Sequence, residues 1–228
     1  MLNLIKLEEV DSTNEWVKRN IEKLSDLDGV IARIQTRGKG RGSNKWFSPS
    51  GGLWLTLMIK EFPSNKGVLS QLSSVAIAEV LENYRLHVEL KWPNDIIISK
   101  KKIGGVLIEG RNESFIVGIG LNLNLDVSDF PQSLQENIIS SKEILKRNLP
   151  IEEVALEIMK RIGECREELD RVYIRYLGLN QDLGRKVELQ GQKETITGQV
   201  IGIENDGGIR IRSEGKENTY YSGSLVYI

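Results

Sequence analysis

The hydrophobic period of this chain changes once, after Leu177-Gly178-Leu179, and that change limits what it can fold into. Before it, helical and strand-like patterns alternate. Ser12-Thr13-Asn14-Glu15 has the form of a capping box, which predicts a helix running to about Leu24. Gly29–Gln35 and Gly52–Lys60 read as strands, and the stretch between them, Thr36 to Trp46, reads as a loop rich in glycine and basic residues. Gly67–Tyr84 carries Leu69, Leu72, Val75, Ala76, Val80 and Leu81 at helical spacing. Strand-like runs follow at Val88–Trp92 with Asp95–Ile98, at Lys102–Glu109 and at Phe115–Leu125, with Lys100-Lys101-Lys102 as a basic turn. Pro150 sits where a helix N1 proline belongs, and one long amphipathic helix is predicted from Ile151 through Tyr176.

After the change, Lys186–Ile228 alternates in short strands broken by Gly191, Asp206-Gly207-Gly208, Glu214-Gly215 and Ser222-Gly223. This reads as a small β-barrel or sandwich. The fold class is therefore α+β: a mixed, largely antiparallel sheet with helices on one side, followed by a small β-domain. The boundary falls near residue 180, giving a first domain over 1–180 and a second over 181–228.

Composition removes several function classes. The 31 Lys and Arg against 32 Asp and Glu leave a net charge of −1, so the chain has no global attraction for nucleic acid or anionic membranes. A single cysteine, Cys165, allows no intramolecular disulfide. With one histidine beside it, no zinc site of His and Cys ligands can form. A Ser-His-Asp triad would need His87, which follows Tyr84-Arg85-Leu86 and reads as an exposed loop histidine. No run approaches the ~18 apolar residues of a membrane span. Met1–Val10 lacks a cleavage signature, so the cytoplasm is the expected compartment.

Four segments have the residue types that chemistry needs. In Gln35-Thr36-Arg37-Gly38-Lys39-Gly40-Arg41-Gly42, glycines free the backbone to approach a ligand, and Lys39 and Arg41 add charge for phosphate or carboxylate. The same stretch also suits a mobile basic loop or an RNA contact. In Lys91-Trp92-Pro93-Asn94-Asp95, a tryptophan can pack a planar ring, and Asn94 and Asp95 offer oxygens to a hydroxyl or hydrated Mg²⁺; the alternative is an Asx-type turn. Lys102 heads the apolar run Ile103-Gly104-Gly105-Val106-Leu107-Ile108, where it either aims into a pocket or is solvated. In Gly118-Ile119-Gly120-Leu121-Asn122-Leu123-Asn124, strand glycines mark a close approach. Asn122 and Asn124 share one strand face, for ligand recognition or for a structural network.

Taken together and in this order, with Asp11-Ser12-Thr13-Asn14 ahead of them, these segments resemble the biotin–protein ligases. The resemblance runs over about residues 8 to 125, and Asp206–Ile211 and Gly223–Val226 carry it into the small C-terminal domain, which it implies is an SH3-like β-barrel. It implies that Ser12, Thr13, Asn14 and Gln35 border biotin. It also implies that Gly38, Lys39, Gly40 and Arg41 close over biotin and the adenylate phosphate, and that Gly105 and Gly118 admit the backbone to biotin. Trp46, Asn94 and Asn122 fall to the ATP side, with Lys39, Gly40 and Arg41. Lys102 is the central lysine between biotin carboxylate and α-phosphate, with Arg41 as its catalytic companion. No metal ligand is assigned, although Mg²⁺ with ATP is implied.

The implied reaction joins biotin to ATP as biotinyl-5′-AMP and passes biotin to a lysine of a biotin carboxyl carrier protein. Two anions must meet in the first step, so the site must supply positive charge. The mixed anhydride must be kept from water, which suits a loop that orders over it. The family often has arginine where Lys39 stands, so this chain offers a point charge there in place of a bidentate fork. Only ten residues precede Asp11, too few for the DNA-binding domain of the repressor members, so a monofunctional ligase without operator binding is expected. A homodimer through an edge of the main sheet is implied. The other readings are a lipoate or octanoate ligase, which should lack Lys91–Asp95 in this form, and an RNA-binding module, which would need a wider basic patch and exposed aromatics.

Overall fold

The computed structural model describes residues 2–62, 65–111, 114–191 and 194–228. Its seven-stranded sheet is formed by β1 (Leu4–Val10), β2 (Gly29–Gln35), β3 (Leu53–Ile59), β4 (Glu89–Lys91), β5 (Asp95–Ile98), β6 (Lys101–Arg111) and β7 (Ser114–Leu121). Their spatial order is β1-β2-β3-β7-β6-β5-β4. Only β1 and β2 run parallel; the other neighbours are antiparallel. A parallel pair needs a crossover, and α1 (Thr13–Arg19) supplies it. The remaining helices are α2 (Lys66–Asn83), the short α3 (Gln132–Gln135) and α4 (Ser141–Leu145), α5 (Ile151–Cys165) and α6 (Leu169–Leu179).

Strand alternation divides the sheet into two faces. Leu53, Leu55, Leu57 and Ile59 of β3 and Val117, Ile119 and Leu121 of β7 join α2, α5 and α6 in one large apolar cluster. The intervening residues of the same strands face the other way, where α1 lies. Met58 and Ile116 pack there with Val17, and Thr56 bonds to Thr13 and Asn14. The three long helices therefore cover one face as expected, and short α1 occupies part of the face that holds the site.

Several local expectations are corrected. Ser12 is extended and makes no side-chain cap bond; Asp11 Oδ1 accepts its N–H, and Glu15 is drawn to Lys18 and Lys39 instead of back to the N-cap. The first helix ends at Arg19, not near Leu24: Asn20 leaves the helical conformation as the C-cap, and its side-chain amide joins its backbone N–H in donating to the Trp16 carbonyl. A 3₁₀ turn, Ile21–Lys23, follows. The single helix from Ile151 is two helices, interrupted at Arg166–Glu168, where Arg166 turns out to Asp26 and to the Lys60 carbonyl. Pro150 stands at the N-cap of α5, one position earlier than expected. The basic turn lies at Ser99-Lys100, both with positive φ, and Lys101 and Lys102 already belong to β6. β7 stops at Leu121, so Asn122 and Asn124 do not share a strand face. Their amides bind backbone carbonyls instead: Asn122 those of Lys102 in β6 and of Ile139, Asn124 that of Leu149.

The C-terminal strands β8 (Lys186–Gln190), β9 (Thr195–Ile203), β10 (Ile209–Ser213), β11 (Lys216–Tyr220) and β12 (Ser224–Tyr227) form an antiparallel sheet of order β11-β10-β9-β8-β12. Among the described residues no pairing joins β11 to β12, so the sheet is not closed into a barrel. Its Val187, Leu189, Val200, Ile203, Ile209 and Ile211 belong to the main cluster, so the two sheets share one apolar core.

Candidate active site

Pairing across the sheet sets the floor of the site. Asp95 is opposite Gly105, Gly105 opposite Gly120, and Gly120 opposite Trp54. One row over, Leu107 is opposite Gly118 and Gly118 opposite Thr56. Directly paired residues share a face, so three glycines clear side chains from the middle of this one. A Cβ at Gly118 would lie 2.3 Å from Asn14 Oδ1, and one at Gly120 would lie 2.7 Å from Trp46 Nε1. The glycines thus let the Asn14 amide and the Trp46 indole lie flat on the strands.

Lys102 reaches this floor through a register shift. Ile96 pairs with Gly104 but Ile97 pairs with Lys102, so Ile103 is an extra residue in β6. Residues three apart on a strand ordinarily face opposite sides; the extra residue puts Lys102 and Gly105 on the same side. The Lys102 ammonium then lies 2.5 Å from Asp95 Oδ1 and 5.0 Å from the centre of the Trp46 ring.

Above the floor is a cavity of about 310 Å³, lined by Ser12, Thr13, Asn14, Gln35, Lys39, Gly40, Arg41, Trp46, Asn94, Lys102, Gly105, Gly118 and Asn122 among others. Every residue assigned from the sequence lines it except Gly38. That glycine lies beneath the loop, where a Cβ would come within 2.4 Å of Ser48 Oγ and of the Trp46 carbonyl. Among the described residues four cations line the cavity, Lys39, Arg41, Lys45 and Lys102, against one carboxylate, Asp95. The basic loop folds back as a hairpin, with the Gly40 N–H donating to Asn44 O and the Trp46 N–H to Gly38 O. Gly42, at φ +62°, makes the turn.

One end of the cavity is neutral and hydrogen-bonded throughout. Gln35 Oε1 accepts from both the N–H and the hydroxyl of Thr13, and Gln35 Nε2 donates to Ser48 Oγ. Asn14 Nδ2 donates to Glu109 Oε2, which fixes its amide with the oxygen toward Thr56. Gln35, expected at a ligand rim, spends its polar atoms orienting Thr13 and Ser48. At the charged end, Arg41 donates to Asn94 Oδ1 at 3.2 Å and to the Gly223 carbonyl at 2.5 Å. Burial lowers its pKa from the usual guanidinium value, and Asp95 opposes that shift. Lys39 pairs with Glu15 at 2.6 Å; bonds from Lys18 and then Lys39 hold the Glu15 carboxyl below its ordinary range. Trp46 Nε1 and Asn122 Oδ1 are buried without partners.

Sequence reasoning named Asn94 and Asp95 together as oxygen donors but gave only Asn94 a place among the site residues, whereas Asp95 is the one acid of the lining among the described residues. Thr56, Glu109 and Ser224 were also missed. Thr56 and Glu109 come from strands read only as apolar, and Ser224 arrives from β12.

The fold and the site define an α+β protein with one cavity that is lined by neutral side chains at one end and by cations at the other. The chain belongs to the biotin/lipoate A/B protein ligase family, whose sequence model matches residues 6–126. It is 29% identical to the bifunctional ligase/repressor BirA of Bacillus subtilis over 86% of this chain and 65% of that protein, so it spans about two thirds of that relative's length. Its structure matches the Aquifex aeolicus biotin protein ligase solved with biotin and ATP, with a TM-score of 0.89, 31% identity and 99% and 98% of the two chains covered. It also matches the Leishmania major biotin protein ligase in complex with biotinyl-5-AMP, with a TM-score of 0.70, 25% identity and 99% and 98% coverage.

Proposed function

We propose that this protein is an ATP-dependent biotin–protein ligase. It activates biotin as biotinyl-5′-AMP with release of pyrophosphate, then transfers biotin to a lysine of a biotin carboxyl carrier protein. The observation that carries the reading is the convergence of Lys102, Lys39 and Arg41 on one cavity whose far end is neutral and hydrogen-bonded. A carboxylate must approach a polyphosphate there, and these cations offset the repulsion.

In this reading biotin lies over Gly118, with Ser12, Thr13 and Asn14 around its polar ring and its carboxylate toward Lys102. Gly105 allows close approach, since the atoms nearest a Cβ there are 3.3 Å away or more. Lys102 holds the reacting carboxylate oxygen and a nonbridging α-phosphate oxygen together, and Arg41 stabilises charge as pyrophosphate departs. Trp46, Asn94 and Asn122 serve the nucleotide. Lys39 and Gly40 close the loop over the phosphates when Lys39 leaves Glu15. Mg²⁺ would enter with the ATP phosphates and neutralise their charge; among the described residues no group of three or more acids, His or Cys could hold a metal alone, and Asp95 and Asn94 supply suitable oxygen donors.

In transfer, the acceptor lysine amine attacks the anhydride carbonyl and AMP leaves. Residues 1–180 would form the catalytic domain and 181–228 a second domain. A homodimer through an edge of the main sheet and a cytoplasmic location complete the reading. Among the described residues no helix is long and apolar enough to cross a membrane.

The test is incubation with MgATP and radiolabelled biotin, then with a biotin carboxyl carrier domain. Biotinyl-adenylate should form first and label should pass to the carrier. Adenylate from lipoate or octanoate but not from biotin would replace this reading with the related ligase. Failure to activate any of these acids would remove it.

A further inference from the structure

Asp182 is a fully buried carboxylate with no role in the chemistry described above. It follows α6, just before the C-terminal sheet. Oδ2 accepts from the Trp92 backbone N–H at 2.6 Å and from Asn180 Nδ2 at 2.9 Å, and Oδ1 accepts from the Tyr227 hydroxyl at 2.5 Å. Burial pushes its pKa up, while the Tyr227, Trp92 and Asn180 bonds and Lys91 work the other way. An acid is costly to bury, so three aligned donors at one carboxylate make a specified junction.

The position of the junction matters. Trp92 begins the turn that delivers Asn94 and Asp95 to the cavity. Its ring is buried, with Nε1 donating to the Gly207 carbonyl at 2.9 Å, and Ser70 Oγ donates to the Pro93 carbonyl at 3.0 Å. Tyr227 belongs to β12. At the other end of that strand the Gly223 carbonyl accepts from Arg41, and Ser224 lines the cavity. One carboxylate therefore ties together the turn that positions Asp95 against Lys102 and the strand whose start holds Arg41.

We infer that Asp182 is a positioning residue for adenylate formation: it registers the Trp92–Asp95 turn against β12, and so sets Asp95, Lys102 and Arg41 in their reacting geometry. The inference rests on the proposed ligase reading. It concerns hydrogen-bond geometry rather than charge. An asparagine can accept from Trp92 and Asn180 through its oxygen and donate its amide to the Tyr227 oxygen.

The experiment uses the full chain as wild type, Asp182→Ala and Asp182→Asn. Biotin sites are titrated calorimetrically, single-turnover adenylate formation is measured per biotin site, and hydrogen exchange is followed over residues 88–98. Asp182→Ala should slow the per-site rate ~10–100-fold, the loss expected from misplacing reacting groups by about 1 Å, with biotin affinity within about twofold. Exchange at Trp92 and the turn should rise. Asp182→Asn should stay within about threefold of wild type in rate and keep the protection. A per-site rate for Asp182→Ala within twofold of wild type overturns the inference, as does an Asp182→Asn loss equal to that of alanine. If wild type forms no adenylate, the ligase reading fails on that result alone, and the exchange data still judge the junction: an unchanged 88–98 segment in Asp182→Ala overturns it.

Discussion

The two faces of the main sheet are built from the same strands and differ in what covers them. On one, Leu53, Leu55, Leu57 and Ile59 of β3 are fully buried in the apolar cluster they share with α2 and α5. On the other, the intervening residues include Thr56, and Gly118 and Gly120 leave room for Asn14, Trp46 and a cavity. The first face is saturated with apolar contact and the second is left hollow and polar. Alternation along a strand thus separates stability from chemistry at a distance of one residue.

The sharpest way to break that separation is at Lys102. Lys102→Ala should lower adenylate formation by ~10²–10³-fold, the size expected for losing one electrostatic stabiliser of the developing charge. Its urea midpoint should match wild type; a large fall there would show that the Lys102–Asp95 pair holds the fold. Leu57→Ala probes the other face. It should cost about 2–5 kcal/mol in urea denaturation, and the surviving folded protein should form adenylate at the wild-type rate per biotin site. A changed per-site rate would mean that the faces are mechanically coupled.

Gly120→Ala sharpens the comparison on the hollow side. The new methyl would lie 2.7 Å from Trp46 Nε1, and displacing the indole should cost about 1–3 kcal/mol, read as a roughly tenfold or greater rise in the ATP KM. An unchanged KM would remove Trp46 from the nucleotide side. The smallest effect belongs to Cys165, the buried last residue of α5. Burial pushes its thiol up to about 12, so at pH 8 it is neutral in the folded protein and hardly any reactive thiolate is present. Alkylation by iodoacetamide should be slow until urea unfolds the chain. Fast native labelling would show that the helical face opens.

Much of the site was legible because its signals are local. Glycines at 105 and 118, the basic loop at 38–41 and the lysine at 102 each mark a backbone or charge requirement within a few residues. Gly38, read as part of the loop over the ligand, packs against Ser48 and the Trp46 carbonyl, a contact that the spacing of a glycine motif does not contain. The two asparagines at 122 and 124 were read by strand period, yet β7 ends one residue before them and their amides tie loops together. The length of the first helix failed for a similar reason: Asn20 turns out of the helix as its C-cap, which apolar spacing alone does not register.

The sequence by itself determined the two periodicities, the α+β class and the residue types that a charged, glycine-floored cavity requires, because each depends on neighbours within about a turn of helix or a pair of strand residues. The tertiary structure alone decided which side of β6 Lys102 occupies, since the extra residue at Ile103 is defined by pairing with β5 and not by anything in the run Lys102–Glu109. It also brought Gly223 and Ser224 to the site, and Asp182 against the Trp92 backbone behind it, from far along the chain. Strand register and the burial of a lone carboxylate are set by partners distant in sequence, and no local pattern records them.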